Sequence, residues 1–322
     1  MLKIAMIMHA GISGNGPFSA GPKFGRGLST RLLWLTLALI FSHPLFAEDT
    51  KNALFWSIND GDRQAGYLLG TIHSEDPRVL DFPADFLQKL TSNEIFAMEM
   101  VPDLATLTAL TQFMRYQDGT TLEQQVGAER YAKISQALSN YKVPADWVMN
   151  MKIWAAVMTL SVPPPETGFF MDFSLSLRAS GSGMRVVGLE TLDEQLSFLE
   201  NMPLGQQLDL LDQALVEYDQ VQEVHDRLVD SYLKGDLQAL ETEAQAQLEL
   251  LDQASRDYFI EQGIDARNQR MLRSLLPLLK QGRVFIAVGA LHLPGERGLV
   301  ALLRANGYQL QAEALPFSGS AR

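Results

Sequence analysis

The sequence predicts an α/β fold of α+β-like character: one mixed β-sheet flanked by helices, with a long helical insertion. Three observations carry that reading. Short apolar runs bounded by turn residues recur at 52–58, 65–73, 94–100, 184–190 and 283–292, which is the signature of strands in a buried sheet. Stretches of helical spacing opened by capping signals lie between them. Residues 204–280 read almost entirely as helix, rich in Gln, Glu, Asp and Leu, and a charged, leucine-patterned stretch of this kind packs as a helical pair on one side of a domain.

Taken in chain order, the first segment stands apart. In "RLLWLTLALIFSHPLFAEDT" a cation precedes a ten-residue apolar run from Leu32 to Phe41, and Ala47 stands before an acidic start. This predicts a secretory signal peptide with a long n-region over 1–47, cleaved after Ala47, and a mature chain of one domain over 48–322. The run is shorter than the roughly 20 apolar residues a membrane-crossing helix needs. A periplasmic or secreted protein with no stable membrane span after signal removal is therefore expected.

"NALFWSI" and "AGYLLGTIH" flank "NDGDRQ", whose turn chemistry predicts a hairpin. A short helix follows near 84–90, then the strand "EIFAMEM" at 94–100, then a helix over 104–116. Thr120 and Glu123 have capping-box spacing, and "PADWVMNMKIWAAVMTL" reads as one helix with proline at its start. "VPPPETG" at 162–168 is a rigid turn into the second half, where 172–180 is helical, "MRVVGLE" is a strand, and Thr191 with Glu194 again has capping-box spacing. The insertion turns at "KGD", with Gly235 at the bend, and its arms are expected to cover the sheet's site face. "RVFIAVGALH" is the last buried strand, and "LPGERGLVALLRANGYQLQAE" supplies a helix and a terminal strand.

The formal net charge of −12 leaves no Lys/Arg cluster to displace phosphate counterions, so nucleic acid is excluded as a partner. Cysteine is absent. No disulfide, thiolate zinc site or cysteine nucleophile can form, and any metal must be held by His, Asp or Glu. Of five histidines, His9 and His43 precede the mature chain and His225 lies at helical spacing from Val221 and Leu228 without an assigned role.

Four strands, all read as buried, deliver a charged or metal-capable side chain at their C-terminal ends: His73, Glu99, Glu190 and His292. Open α/β sheets place their sites just outside those ends. "GTIH" at 70–73 and "GALH" at 289–292 are the same phrase, and glycine within a strand marks a close approach of backbone or ligand. Two imidazoles and a carboxylate make a hydrolase ligand set with positions left for water, which a divalent ion acidifies while polarising a carbonyl. If His73, His292 and Glu190 hold the ion, Glu99 is free to take the water's proton; if Glu99 is a ligand, Glu190 becomes the base or an orienting residue. Nitrogen and oxygen donors without sulfur suit zinc, manganese, cobalt or iron.

"YLLGTIHSEDPRVLDFP", "IFAMEM", residues 189–196, Arg267-Asn268 and "VFIAVGALHLPGERGLVALLRANGY" resemble, in this order and spacing, the TraB/GumN family, whose animal relatives are the Tiki metalloproteases. The resemblance implies a metal-dependent hydrolase acting on a peptide or protein substrate, with His73, His292 and Glu99 at its centre. It favours manganese or cobalt as the metal. It places Arg267 and Asn268 on a helix at the site, where an arginine stabilises an oxyanion or orients a carboxylate. Where the family has a Gly-hydrophobic-Asp helix start, this chain has Phe170-Met171-Asp172. The competing expectation is a non-catalytic protein that binds haem or a peptide in the same pocket. The oligomeric state is left open.

Overall fold

A hairpin opens the sheet: β1 (Phe55–Asp60) and β2 (Arg63–Thr71) pair antiparallel across the two-residue turn Gly61-Asp62, where Gly61 has φ of 60°. The computed structural model describes residues 53–315 and Phe317, so the expected signal peptide lies outside the described residues. β3 (Ile95–Met98), β4 (Arg185–Gly188), β5 (Val284–Gly289) and β6 (Gln309–Glu313) complete one mixed sheet in the order β4-β3-β5-β2-β1-β6. β3 pairs parallel with both β4 and β5, and β5 pairs parallel with β2. β1 runs antiparallel to β2 and β6. The carboxyl ends of β2, β3, β4 and β5 therefore share one edge. The α/β class with a mixed sheet is the one the sequence predicts.

Burial follows position in the sheet. β3 and the first five residues of β5 are buried, as central parallel strands covered on both faces must be. β4 is a correction to the expectation of a buried strand: Arg185 and Gly188 are exposed and Val186 and Val187 half-buried. It has one neighbour only, and an edge strand covers one side.

The helical insertion is built into the sheet's core. Helices Val221–Leu233 and Leu237–Glu249 meet at a turn where Gly235 has φ of 71°, and Leu228, Val229, Tyr232, Leu237 and Leu240 join the cluster that contains the strands. Tyr232 is fully buried, and its Oη donates to Gly70 O at 2.8 Å. Tyr232→Phe removes this donor and is expected to cost about 1 kcal/mol, read by urea unfolding. A second apolar cluster lies among helices 122–160, 192–217 and 248–264.

Two local expectations are corrected. The capping box forms at Thr121 and Gln124, one residue beyond the expected pair. The expected single helix from Pro144 is two, Ala145–Met149 and Ile153–Leu160. Between them Asn150 O accepts from Tyr116 N at 2.8 Å and Lys152 N donates to Met114 O at 2.9 Å, so backbone bonding to a distant segment replaces the helical ladder.

Candidate functional site

Register brings the strand ends together. Thr71 pairs with Gly289, and Met98 pairs with both Ala287 and Gly188. Glu99 follows β3 directly, Glu190 lies just beyond β4, and His73 just beyond β2. His292 ends a single 3-10 turn, Ala290–His292, that follows β5. Arg267 and Asn268 enter from the helix Ala266–Gln281, immediately after the π-helical segment Phe259–Asp265. Widened turns of this kind recur at functional sites because they reset which side chains face inward.

Glu99, Arg267 and Glu190 form a bonded trio. Arg267 Nη2 donates to Glu99 Oε2 and to Glu190 Oε2, each at 2.6 Å, and Nε donates to Glu190 Oε2 at 3.0 Å. Glu190 is 0% and Arg267 4% exposed at the side chain, against 19% for Glu99. Glu99 also accepts from Gly289 N–H at 2.8 Å and from Gln195 Nε2 at 3.1 Å. Burial pushes the Glu99 carboxyl up, yet the charges of Arg267 and His292 and the Gly289 N–H outweigh it and bring the pKa down to about 2. Burial raises the Glu190 carboxyl, with the Arg267 charge opposing and the Glu99 charge adding to the rise. Burial lowers the Arg267 guanidinium, but the two carboxylates reverse this and hold it above its ordinary value. The ionised form of Glu99 is thus fixed at neutral pH.

The two histidines are each anchored through Nδ1. His292 is fully buried, and its Nδ1 lies 2.7 Å from Asn268 Oδ1. Asn268 Nδ2 donates to Arg297 O at 2.9 Å, which sets the amide's orientation and so requires the proton on His292 Nδ1. His292 Nε2 faces Glu99 Oε1 at 3.9 Å. His73 Nδ1 lies 3.4 Å from Asp172 Oδ2, and the ring stacks on Phe170 with centroids 3.9 Å apart. Asp172 in turn accepts from the Thr71 hydroxyl. Ser74 Oγ meets His225 Nε2 at 3.0 Å, a partner for the histidine that the sequence left unassigned.

The motif glycines have separate causes. A Cβ on Gly70 would lie 3.0 Å from Ala290 Cα and 3.1 Å from Leu293 Cδ2, so the 3-10 turn carrying His292 packs directly on this position. A Cβ on Gly289 would lie 3.2 Å from Glu99 Oε1. Gly70→Ala is expected to cost about 1–3 kcal/mol through overpacking, measured by thermal unfolding.

A cavity of about 160 Å³ opens at this edge, lined on its polar side by Thr71, His73, Glu99, Asp172, Gln195, Arg267 and Gly289. Of the expected site residues, Glu99, Arg267 and His73 face it. Glu190, Asn268 and His292 stand behind, each bonded to or facing a residue of the site. Among the described residues no three His, Asp or Glu side chains lie close enough together to hold an ion. The donors instead form two pairs, His292 with Glu99 and His73 with Asp172; the two histidines follow β2 and β5, whose ends are register partners, and Asp172 comes from the helix Met171–Gly181. Gln195 and Thr71 were not expected here; Gln195 falls inside the 189–196 segment, but one turn after a capping threonine it reads as a solvent-facing residue.

A family model described as the TraB/PrgY/gumN family matches residues 54–312. Among curated proteins, Metalloprotease TIKI2 of Xenopus tropicalis is 23% identical over 82% of this chain and 60% of its own length. Metalloprotease TIKI homolog of Nematostella vectensis is 24% identical over 81% of this chain and 67% of its own. Uncharacterized protein YbaP of Shigella flexneri is 24% identical over 76% of this chain and 89% of its own. The chain thus spans about 60% of the first of these relatives. No solved structure matches the chain.

Proposed function

We propose, from the premise that this chain belongs to the TraB/PrgY/gumN family, that it is an exported, divalent-metal-dependent hydrolase of peptidase type. Its relatives include proteins named metalloproteases. The observation that carries the reading is the shared anchoring of the two Gly-x-x-His imidazoles. Each is engaged at Nδ1 by a side-chain oxygen, Asn268 Oδ1 or Asp172 Oδ2, which leaves Nε2 as the lone-pair donor, as in histidines that serve metals.

The donor set fits a divalent ion in kind, being nitrogen and oxygen without sulfur, and is compatible with zinc, iron, manganese or cobalt; the family resemblance is what favours manganese or cobalt. The family resemblance assigns His73, His292 and Glu99 to the ion, whereas in this structure they stand in two separate pairs, with no group of three converging among the described residues; when bound, the ion would polarise the scissile carbonyl and acidify a water. Glu190, one of the residues considered as a ligand from the sequence, has its carboxylate in the Arg267 fork and is assigned to orienting that guanidinium. Arg267 keeps its charge and faces the cavity, where it stabilises the oxyanion that forms when an amide is attacked. Asn268 Oδ1 holds the proton on His292 Nδ1 throughout. Apolar side chains that also line the cavity, Met98, Met158 and Leu196 among them, exclude bulk water and strengthen these charges.

The test is a peptide mixture incubated with purified protein and Mn²⁺, Co²⁺ or Zn²⁺, products being read by mass spectrometry. Metal-stimulated cleavage that a chelator removes is expected, with no Soret band on adding haem. A Soret band without cleavage under any metal would replace this reading with haem binding. Export is tested by the mass of the exported protein, which is expected to lack residues 1–47; retention of that segment would replace secretion by anchoring.

A further inference from the structure

The cavity has a second, apolar side: Met98, Met100, Met158, Leu196, Phe198 and Leu199 line it beside the polar groups. This wall is supplied from two directions, by β3 and its extension and by the helices Ile153–Leu160 and Leu192–Glu200. Three of the side chains on this side are thioethers, which adapt their shape to an unbranched or γ-branched guest. Ligand pockets are built in this way, an apolar body with a few placed polar groups.

Gln195 is the polar group next to that wall. It is 8% exposed, and its Nε2 donates to Glu99 Oε2. The carboxylate accepts only, so the amide cannot be turned round, and Oε1 is the end directed elsewhere. Among the described residues Gln195 Oε1 has no hydrogen-bond partner. A buried acceptor left in this state is costly, and a ligand that donates to it recovers the loss. Gln195 and Leu199 are four residues apart on one helix, hence on one face and separated by about one turn, roughly 5.4 Å. That is the span between a residue's own backbone N–H and the end of its side chain.

Resting on the hydrolase reading above, we propose that Gln195 and this wall form a specificity pocket for one methionine or leucine residue next to the scissile bond of a peptide. Gln195 Oε1 accepts that residue's backbone N–H, and its side chain lies among the methionines against Leu199. Gln195 is then a specificity-determining residue that touches substrate, while its Nε2 keeps Glu99 in place.

Binding of small probes tests this independently of turnover. N-acetyl-methioninamide, N-acetyl-alaninamide and the ester analogue of the first, with oxygen in place of the N–H, are titrated into wild type and Gln195→Leu by calorimetry. The methionine probe is expected to bind at least tenfold tighter than the alanine probe. The ester analogue should bind wild type about fivefold more weakly than the amide, and the two should bind Gln195→Leu equally. Equal binding of methionine and alanine probes, or of amide and ester by wild type, overturns the proposal, the latter meaning that a water rather than substrate serves Oε1. Should Gln195→Leu fail to fold, the amide and ester comparison in wild type alone decides. Absence of cleavage with this binding pattern intact would sink the hydrolase reading and leave the pocket standing.

Discussion

Arg267→Met is expected to cost about 3–5 kcal/mol of folding stability at pH 7 in metal-free protein, the largest loss of any single substitution at the site. The reason is the charge count. A buried carboxylate, Glu190, and a partly buried one, Glu99, share one guanidinium, and methionine fills the volume while leaving both without a counter-charge. An exposed pair such as Lys133 and Glu129, at 60% and 85% exposure, gives a contrast; breaking it is expected to leave stability nearly unchanged. The sign of the pH dependence separates charge from packing. In wild type the Glu99 carboxyl is depressed from 4.5 to about 2, so its contribution is fully present above pH 4.5 and is lost as pH falls from there toward 2. In the variant the same carboxyls are raised, and their penalty disappears on protonation. The gap between the two proteins should therefore narrow as the pH is lowered, and urea unfolding at pH 7 and pH 3.5 with chelator present reads it. A gap of constant size would assign the loss to packing alone. Glu190→Gln in the Arg267→Met background should recover part of the loss, since it removes one of the two uncompensated charges.

The strand-end residues were legible because strands announce themselves locally. An apolar run that stops at a turn or a histidine can be read within ten residues, and the hairpin, β2, β3 and β5 follow from such runs. What joins the ends is not local. Asn268 reaches His292 across 24 residues, Asp172 reaches His73 across 99, and Arg267 reaches Glu99 across 168. In "IDARNQRML" nothing distinguishes a buried arginine from a solvated one, and adjacency in sequence hides that Arg267 and Asn268 serve different partners. The break in the helix at 150–152 is hidden for the same reason, its competing bonds lying at 114–116. β4 differs from the expectation because Val-Val reads as buried wherever it falls, while an edge position is a property of the whole sheet. Gln195 is the most instructive case: a polar residue after a helix cap is ordinarily at the surface, and only its placement over Glu99 makes it part of the site.

If His73 and His292 serve one ion, adding Mn²⁺ or Co²⁺ is expected to raise stability by about 2.7 kcal/mol when free metal stands a hundredfold above its dissociation constant, because the ion binds only the folded chain. His73 and His292 follow different strands, 219 residues apart, so no unfolded segment presents both. Either His→Ala change should abolish the gain, and the double variant should lose no more than each single one. Asn268→Leu should weaken the metal's effect about 10- to 100-fold in concentration without removing it, because the ring remains while the hold on Nδ1 is gone. Glu99→Gln then divides the two roles considered for that carboxylate. As a ligand, it takes both stabilisation and hydrolysis with it; as the acceptor of the water's proton, it takes hydrolysis alone. A pKa near 2 makes Glu99 a weak base, and general bases work best near the operating pH, which is why loss of both is the expected result. Melting temperatures unchanged by chelator and by added metal, in wild type and both histidine variants, would leave the Gly-x-x-His pair a structural device that docks the 3-10 turn onto Gly70.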